Sequence, residues 1–181
     1  LWIASPLPYI VGFGVFSATE ARSIHLAFAL FLAFMAYPAF KRSPRDRVPL
    51  ADWALAAVAA FCGAYLFIFY ADLAQRPGLP ITQDIIVGVV GILMLLEATR
   101  RALGPPLMIV AAVFIAYSLF GPYMPGILAH RGVSLGGLIN HQWLGTQGVF
   151  GIALGVSTSF VFLFVLFGAL LDKAGAGNYF I

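Results

Sequence analysis

The chain has 181 residues, of which 62% are hydrophobic and 9% charged, and its mean hydropathy is +0.98. Soluble domains carry about 25% charged residues, so a water-soluble fold of this size is excluded, because the excess apolar surface has to face lipid or other subunits within lipid. The net charge of +3 is typical of a membrane protein with basic cytoplasmic loops and does not indicate nucleic-acid binding.

A helix needs about 20 apolar residues to cross the hydrocarbon core of a bilayer. This rule predicts an all-α fold, a polytopic bundle of about six transmembrane helices. The first span is short and is interrupted by Pro6 and Pro8. The predicted spans cover residues 1–16, 24–40, 53–70, 82 to about 101, 107–120 and 149–171.

Helix-start signals precede several of these spans. Ser17 and Glu20 have the spacing of a capping box, and Asp52 and Thr82 are the predicted N-caps of the third and fourth spans. Ser134 is the predicted cap of a further, short helix.

That short helix is too short to cross a membrane. Its apolar residues recur near the spacing of a helical stripe, as expected of an amphipathic helix. We therefore predict that it lies in the membrane interface, with these side chains on one side: Leu135, Leu138, Ile139 and Trp143.

Basic residues divide unequally between the two predicted sides of the membrane. If the loop at 41–47 is cytoplasmic, that side holds Lys41, Arg42, Arg45, Arg47, Arg100, Arg101 and Lys173, and the other holds Arg22, Arg76 and Arg131. This asymmetry agrees with the positive-inside rule and predicts that residues 122–147 face the periplasm.

Ser157, Thr158 and Ser159 form the strongest nucleophile-like cluster, in the middle of the sixth span. They could line a substrate or ion path, but hydroxyls in a helix more often bond to their own helix carbonyls or join helices. Gly151 and Gly155 form a small-xxx-small pair that favours close helix packing.

The histidines, His25, His130 and His141, have no spacing that indicates a metal site. We expect no histidine at the depth of Ser157, and therefore no Ser–His pair for an intramembrane enzyme. A proton-carrying role for His25 is the less favoured reading of its place near a membrane boundary.

Charged residues are predicted at helix ends only. Glu97 can pair with Arg100 or Arg101 on the helix surface, either as a contact between subdomains or, as we favour, as an anchor at the cytoplasmic interface. Asp84 in a first helical turn is explained by the helix dipole. We find no charge at the membrane centre and expect none to be buried, which indicates a scaffold.

Five segments have a familiar sequence: residues 18–25 (ATEARSIH), 96–101 (LEATRR), 128–132 (LAHRG), 148–157 (GVFGIALGVS) and 160–177 (FVFLFVLFGALLDKAGAG). They resemble the fused permeases of TRAP transporters, and most closely the TAXI-type subfamily, in which the small and large membrane subunits form one polypeptide. The resemblance covers nearly the whole chain and is most specific in its last third.

The resemblance implies a secondary transporter in the bacterial inner membrane. A periplasmic binding protein would deliver an organic acid, and a sodium or proton gradient would drive uptake. The small subunit would contribute four helices, and the large subunit would move substrate by an elevator-like motion. The family's ion and substrate sites lie in re-entrant segments of the large subunit, whose motifs do not occur here. The resemblance thus assigns no ligand, cofactor or catalytic residue to this chain.

We expect this chain to be the N-terminal portion of such a permease, with the lipid bilayer, the binding protein and the rest of the large subunit as partners. Its predicted regions are 1–103, a small-subunit-like four-helix region; 104–147, a connector and the interfacial helix; and 148–181, the start of the large subunit. The alternatives are a non-transporting accessory or assembly subunit, compatible with an absence of buried charge, and an ATP-driven importer permease, for which the short basic loops are poor coupling loops. An intramembrane enzyme is the least favoured.

Overall fold

The computed structural model describes residues 17–38 and 49–175, and this part of the chain is helical without strands. The helices are α1 (Ala18–Ala36), α2 (Leu50–Ile68), α3 (Tyr70–Gln75), α4 (Thr82–Leu103), α5 (Pro105–Phe120), α6 (Leu135–Ile139) and α7 (Ile152–Lys173). Helix α6 continues into a π-helical turn at Asn140–Leu144, and α7 contains another at Ser157–Val161.

Four helices in the described residues are long and apolar enough to cross a membrane: α1, α2, Pro105–Tyr123 and α7. The predicted spans that correspond to them are confirmed at this level. The predicted span at 1–16 lies outside the described residues. The predicted fourth span is helical as α4 but is not among the four, and it differs from them in carrying Asp84, Glu97, Arg100 and Arg101. The number six is therefore not confirmed.

Local capping follows the sequence at two helices and departs from it at two. Ser17 and Glu20 make the predicted capping box at α1, and the Ser134 hydroxyl accepts a hydrogen bond from the Gly137 backbone N–H at α6. Asp52 and Thr82 are not N-caps, because α2 begins at Leu50 and α4 at Thr82 itself. Asp52 thereby lies in the first turn of α2, where its carboxylate is directed into the bundle instead of onto the helix end.

Helices α1 and α2 pack closely against each other. The Ser23 hydroxyl donates to the backbone oxygen of Gly63 at 2.7 Å and accepts from the Phe67 N–H at 3.2 Å. A Cβ atom at position 63 would lie 2.9 Å from the Cα of Ala27. Gly63 is therefore required for the two backbones to approach this closely.

Helices α1, α2 and α4, which we call the packed unit, alternate in direction. The end of α1, the start of α2 and the end of α4 meet around Arg101, and we call this the Arg101 end. The start of α1, the end of α2 and the start of α4 meet around Asp84, and we call this the Asp84 end. Gly104, with φ of 92°, and the two prolines after it separate α4 from α5 at the Arg101 end, since proline lacks the N–H that would continue a helix.

Helix α6 and the π-helical turn after it pack their apolar side chains into the bundle. Trp143 is fully buried, and its indole N–H donates to the Cys62 backbone oxygen at 3.3 Å. Gly88 and Gly91 of α4 leave the space that Ile139 and Trp143 occupy, so that a Cβ at either glycine would overlap those side chains. Of the predicted stripe, Leu138 is buried as well, whereas Leu135 is exposed.

Helix α7 makes few contacts with the rest of the described chain, in contrast to α1, α2 and α4. None of its residues is buried. Its first turns follow α1 in the same direction from the Asp84 end. Of the predicted small-residue pair, Gly155 approaches the guanidinium of Arg22, and Gly151 approaches the turn before its own helix. Close packing onto another helix is thus limited to the first turns of α7.

Candidate functional site

The charged and histidine side chains between helices form three groups in the described residues: one at the Arg101 end, one at the Asp84 end, and one between α1 and α7. Because an unpaired charge inside a helix bundle is costly, the partners of each charge decide what the group can do.

At the Arg101 end, one guanidinium joins three parts of the chain. Arg101 Nε donates to Glu97 Oε1 at 2.8 Å, and Nη1 donates to Asp52 Oδ1 at 2.9 Å and to the Tyr37 backbone oxygen at 3.4 Å. The guanidinium carbon lies 4.7 Å from the centre of the Phe34 ring. With a side-chain exposure of 2%, Arg101 ties α4 to α2 and to the end of α1.

Glu97 pairs with both following arginines, as the spacing allowed. Arg100 Nη2 and Arg101 Nε both lie within 2.8 Å of Glu97 Oε1. The Arg100 side chain is 32% exposed, which fits the predicted anchor, whereas Arg101 makes the contact between helices.

At the Asp84 end, the carboxylate is fully buried, which contradicts the expectation that no charge is buried. Asp84 accepts from the Tyr65 hydroxyl at 2.5 Å and from the Ile81 backbone N–H at 3.0 Å, and Arg76 Nη1 lies 3.2 Å from Asp84 Oδ2. The bond to Ile81 fits the expected place of a carboxylate at a helix start. The other two partners join α4 to α2 and to the segment after α3.

Between α1 and α7, the structure pairs a histidine with the serine cluster. His25 Nε2 lies 3.3 Å from Ser157 Oγ, and its ring meets Phe162 edge-on with centroids 6.0 Å apart. The expectation that no histidine reaches the depth of Ser157 is therefore wrong. It failed because the first turns of α7 lie beside α1 and because α1 begins at Ala18, which places His25 two turns inside the helix and level with Ser157.

The other two hydroxyls of the cluster bond to their own helix. Thr158 donates to the Leu154 oxygen and Ser159 to the Gly155 oxygen, each at 2.7 Å, as hydroxyls in helices commonly do. No carboxylate in the described segments bonds to His25. The pair of His25 and Ser157 thus lacks the orienting acid of a catalytic triad and acts as a contact between helices.

His130 folds the loop after α5. Its Nδ1 accepts from the Gly132 backbone N–H at 3.0 Å and its Nε2 lies 3.1 Å from the Tyr117 oxygen. A Cβ on Gly121 would overlap its ring. His141 is exposed and lies apart from this loop.

The sequence did not indicate the partners of these groups. Arg76 contributes to the charge balance and Tyr65 lies in an apolar span, and neither position predicts a bond to Asp84. Nor did it indicate that Arg22 donates to the Phe150 backbone oxygen, at 3.0 Å. The signal for the Asp52–Arg101 pair was present, since the first turn of one span and the last turn of a span in the opposite direction lie at one level.

No family model, no curated protein and no solved structure matches the chain.

Proposed function

We propose that the chain is the scaffold part of a membrane permease, in a binding-protein-dependent secondary transporter of the TRAP type. In this proposal, a periplasmic binding protein delivers an organic acid and an ion gradient drives its import across the bacterial inner membrane. The sequence resemblance at residues 96–101, 148–157 and 160–177 supports the family. The four helices of membrane-spanning length and composition are compatible with it.

One observation supports the scaffold role in particular: the contrast between the packed unit and α7. Buried carboxylates join α2 to α4 at both ends, Asp52 with Arg101 and Asp84 with Tyr65. Helix α1 is tied to α2 by the Ser23 hydroxyl. Helix α7 buries no residue and presents a large apolar surface. A rigid unit beside a helix with a free apolar surface is what a stationary support needs in order to hold a further membrane domain.

The accessory-subunit alternative loses the observation that favoured it. It was compatible with an absence of buried charge, whereas Asp52 and Asp84 are both buried. The same burial removes the sequence argument for a scaffold, which rested on an absence of buried charge, so that role is now supported by the contrast between the packed unit and α7.

The proposed orientation is tested by cysteine labelling. Cys62 is the only cysteine of the chain, so a Cys62→Ser background gives single-cysteine variants. We expect Ile127→Cys, at a fully exposed position, to react with a membrane-impermeant maleimide in intact spheroplasts. Lys173→Cys, at the far end of α7, is the matched control and should react only after permeabilisation. The reverse pattern would refute the orientation.

The transport function is tested with the full-length gene product in proteoliposomes. We expect uptake of at least one of labelled succinate, 2-oxoglutarate and glutamate when the cognate binding protein and an inward sodium or proton gradient are both present. Collapsing the gradient with ionophores, or replacing the binding protein with an unrelated one, is the control. Uptake that persists under either control, or no uptake of any labelled acid, contradicts the proposal.

A further inference from the structure

A cavity of about 370 Å³ lies at the Asp84 end, between the start of α1, the segment after α3, the start of α4 and the end of the α6 π-turn. Small-molecule pockets have volumes of roughly 300–1,000 Å³, so a small metabolite fits. The polar residues that line the cavity are Thr19, Tyr70, Arg76, Asp84, Asn140 and Thr146.

Arg76 is the cation that this cavity presents. Asp84 has no exposure, whereas the Arg76 side chain is 25% exposed. The carboxylate therefore lies behind the guanidinium, where Tyr65 and Ile81 hold it. Arg76 Nε also donates to the Asp72 backbone oxygen at 3.4 Å, which orients the group from a second direction. Arg76 Nη2 also donates to Asp84 Oδ1, at 3.4 Å. These contacts use three of the five N–H groups of a guanidinium, so two remain for a ligand.

Four neutral polar side chains of the cavity wall have hydrogen-bonding groups available for a ligand. The hydroxyls of Thr19, Tyr70 and Thr146 and the amide of Asn140 have no hydrogen-bond partner among the residues that the structure describes. Polar groups that line a cavity beside a cation can each donate to a carboxylate oxygen, and the arginine adds a charge-assisted bond. Leu66, Leu73 and Leu79 provide apolar wall for a short carbon chain.

The charge of the wall favours a carboxylate over a phosphate. Arg76 is the only cation in the described lining, and Asp84 behind it offsets much of its charge. A phosphate group carries up to about two negative charges near neutral pH, which one partly neutralised guanidinium balances poorly. A single carboxylate matches it.

We propose that this cavity is a binding site for a small carboxylate, with Arg76 bonding its oxygens and Asp84 positioning Arg76. The site goes beyond the proposed function and does not depend on it, because a metabolite can bind here whether or not the chain takes part in transport.

The test measures binding to the purified full-length protein in detergent by saturation-transfer NMR, with the monocarboxylates L-lactate and propionate as probes. We expect saturable binding of at least one acid and none of its amide, lactamide or propionamide, because the amides lack the charge. Inorganic phosphate should compete weakly. Binding of neither acid, equal binding of an amide, or stronger competition by phosphate overturns the proposal.

Three variants locate the bound acid. Arg76→Gln should weaken binding about tenfold or more, because it removes the charge-assisted bonds. Arg131→Gln removes the same charge from an exposed position outside the cavity and should change affinity less than about twofold. Equal losses in the two variants would overturn the site, because the effect would then be one of overall charge.

Arg76→Gln leaves Asp84 without its cation and can impair folding, so a milder variant is needed. Thr146→Val replaces an exposed hydroxyl by a methyl of the same size and touches no ion pair. We expect it to weaken binding about threefold to tenfold, in line with one lost hydrogen bond. Unchanged affinity in Thr146→Val together with Tyr70→Phe overturns the proposed lining. Because no gradient or binding protein is present, failure here leaves the transport test unaffected.

Discussion

Replacing Arg101 with methionine should lower the free energy of unfolding by about 3–5 kcal/mol, because the change leaves the buried carboxylate of Asp52 without its cation. In this ion pair the Arg101 side chain is 2% exposed and the Asp52 side chain 6%. Methionine keeps an unbranched stem of high helix propensity, so the loss measures the charge and its bonds. The measurement is reversible unfolding in mixed detergent micelles, followed by circular dichroism.

Arg100 is the matched control on the same helix. It pairs with the same Glu97 but is 32% exposed, and exposed ion pairs contribute about 0.2–1 kcal/mol. Arg100→Met should therefore cost at most about 1 kcal/mol. Comparable losses in the two variants would mean that the Arg101 end is not a buried junction.

A second substitution separates the unpaired charge from other effects. In the Arg101→Met background, Asp52→Asn removes the orphaned charge and should recover more than half of the lost stability. Asp52→Asn alone should destabilise, because Arg101 then keeps only Glu97 as its acidic partner. This opposite sign in the two backgrounds is the signature of a directly coupled pair.

The features that sequence predicted correctly are local. Each joins two residues that are three apart along the chain: Ser17 and Glu20, Ser134 and Gly137, and Glu97 and Arg100. Helix geometry alone brings such residues together. The apolar spans were predictable for the same reason, since each is a continuous run.

The features that sequence missed depend on which helices are neighbours and how each is rotated about its axis. Asp52 and Arg101 are 49 residues apart, Tyr65 and Asp84 are 19 apart, and His25 and Ser157 are 132 apart. Alternating spans could have placed the first two pairs at one level of the bundle. No periodicity indicates that α7 lies beside α1, so the histidine contact was beyond the sequence.

The α6 segment shows a third case, in which the apolar stripe was predicted correctly but the protein surface that covers it was not. An apolar stripe indicates that one side is buried but does not indicate whether lipid or protein covers it. The deciding feature lies in α4, where Gly88 and Gly91 open the space filled by Ile139 and Trp143. Residues three apart lie on one helix face, so two glycines at this spacing open a single site of close approach.

Gly91→Ala should test this placement of α6, because the sign of its effect on the free energy of unfolding depends on whether Trp143 contacts Gly91. Alanine normally stabilises a helix by about 1 kcal/mol relative to glycine. At Gly91 the new methyl would overlap the indole ring of Trp143, and overpacking of this kind costs about 1–3 kcal/mol. We therefore expect Gly91→Ala to be less stable than the wild type in the same unfolding experiment.

Gly168 of α7 is the matched glycine. A Cβ at position 168 would meet no atom within 4 Å, so Gly168→Ala should raise stability by about 0.5–1 kcal/mol. Trp143→Ala supplies the complementary change. It empties a fully buried site and removes the indole bond to Cys62, and should cost about 3–5 kcal/mol.

The double variant decides whether the two effects share one contact. If Trp143 sits on Gly91, then Trp143→Phe makes room for the methyl, and Gly91→Ala should cost less in that background than in the wild type. If Gly91→Ala instead stabilises as Gly168→Ala does, Trp143 is not seated on α4. Helix α6 would then lie at the membrane interface, as its stripe alone predicted. Because helix propensity and steric overlap act in opposite directions at this glycine, the sign of one measured difference distinguishes a segment that closes the bundle from one that rests on the bilayer.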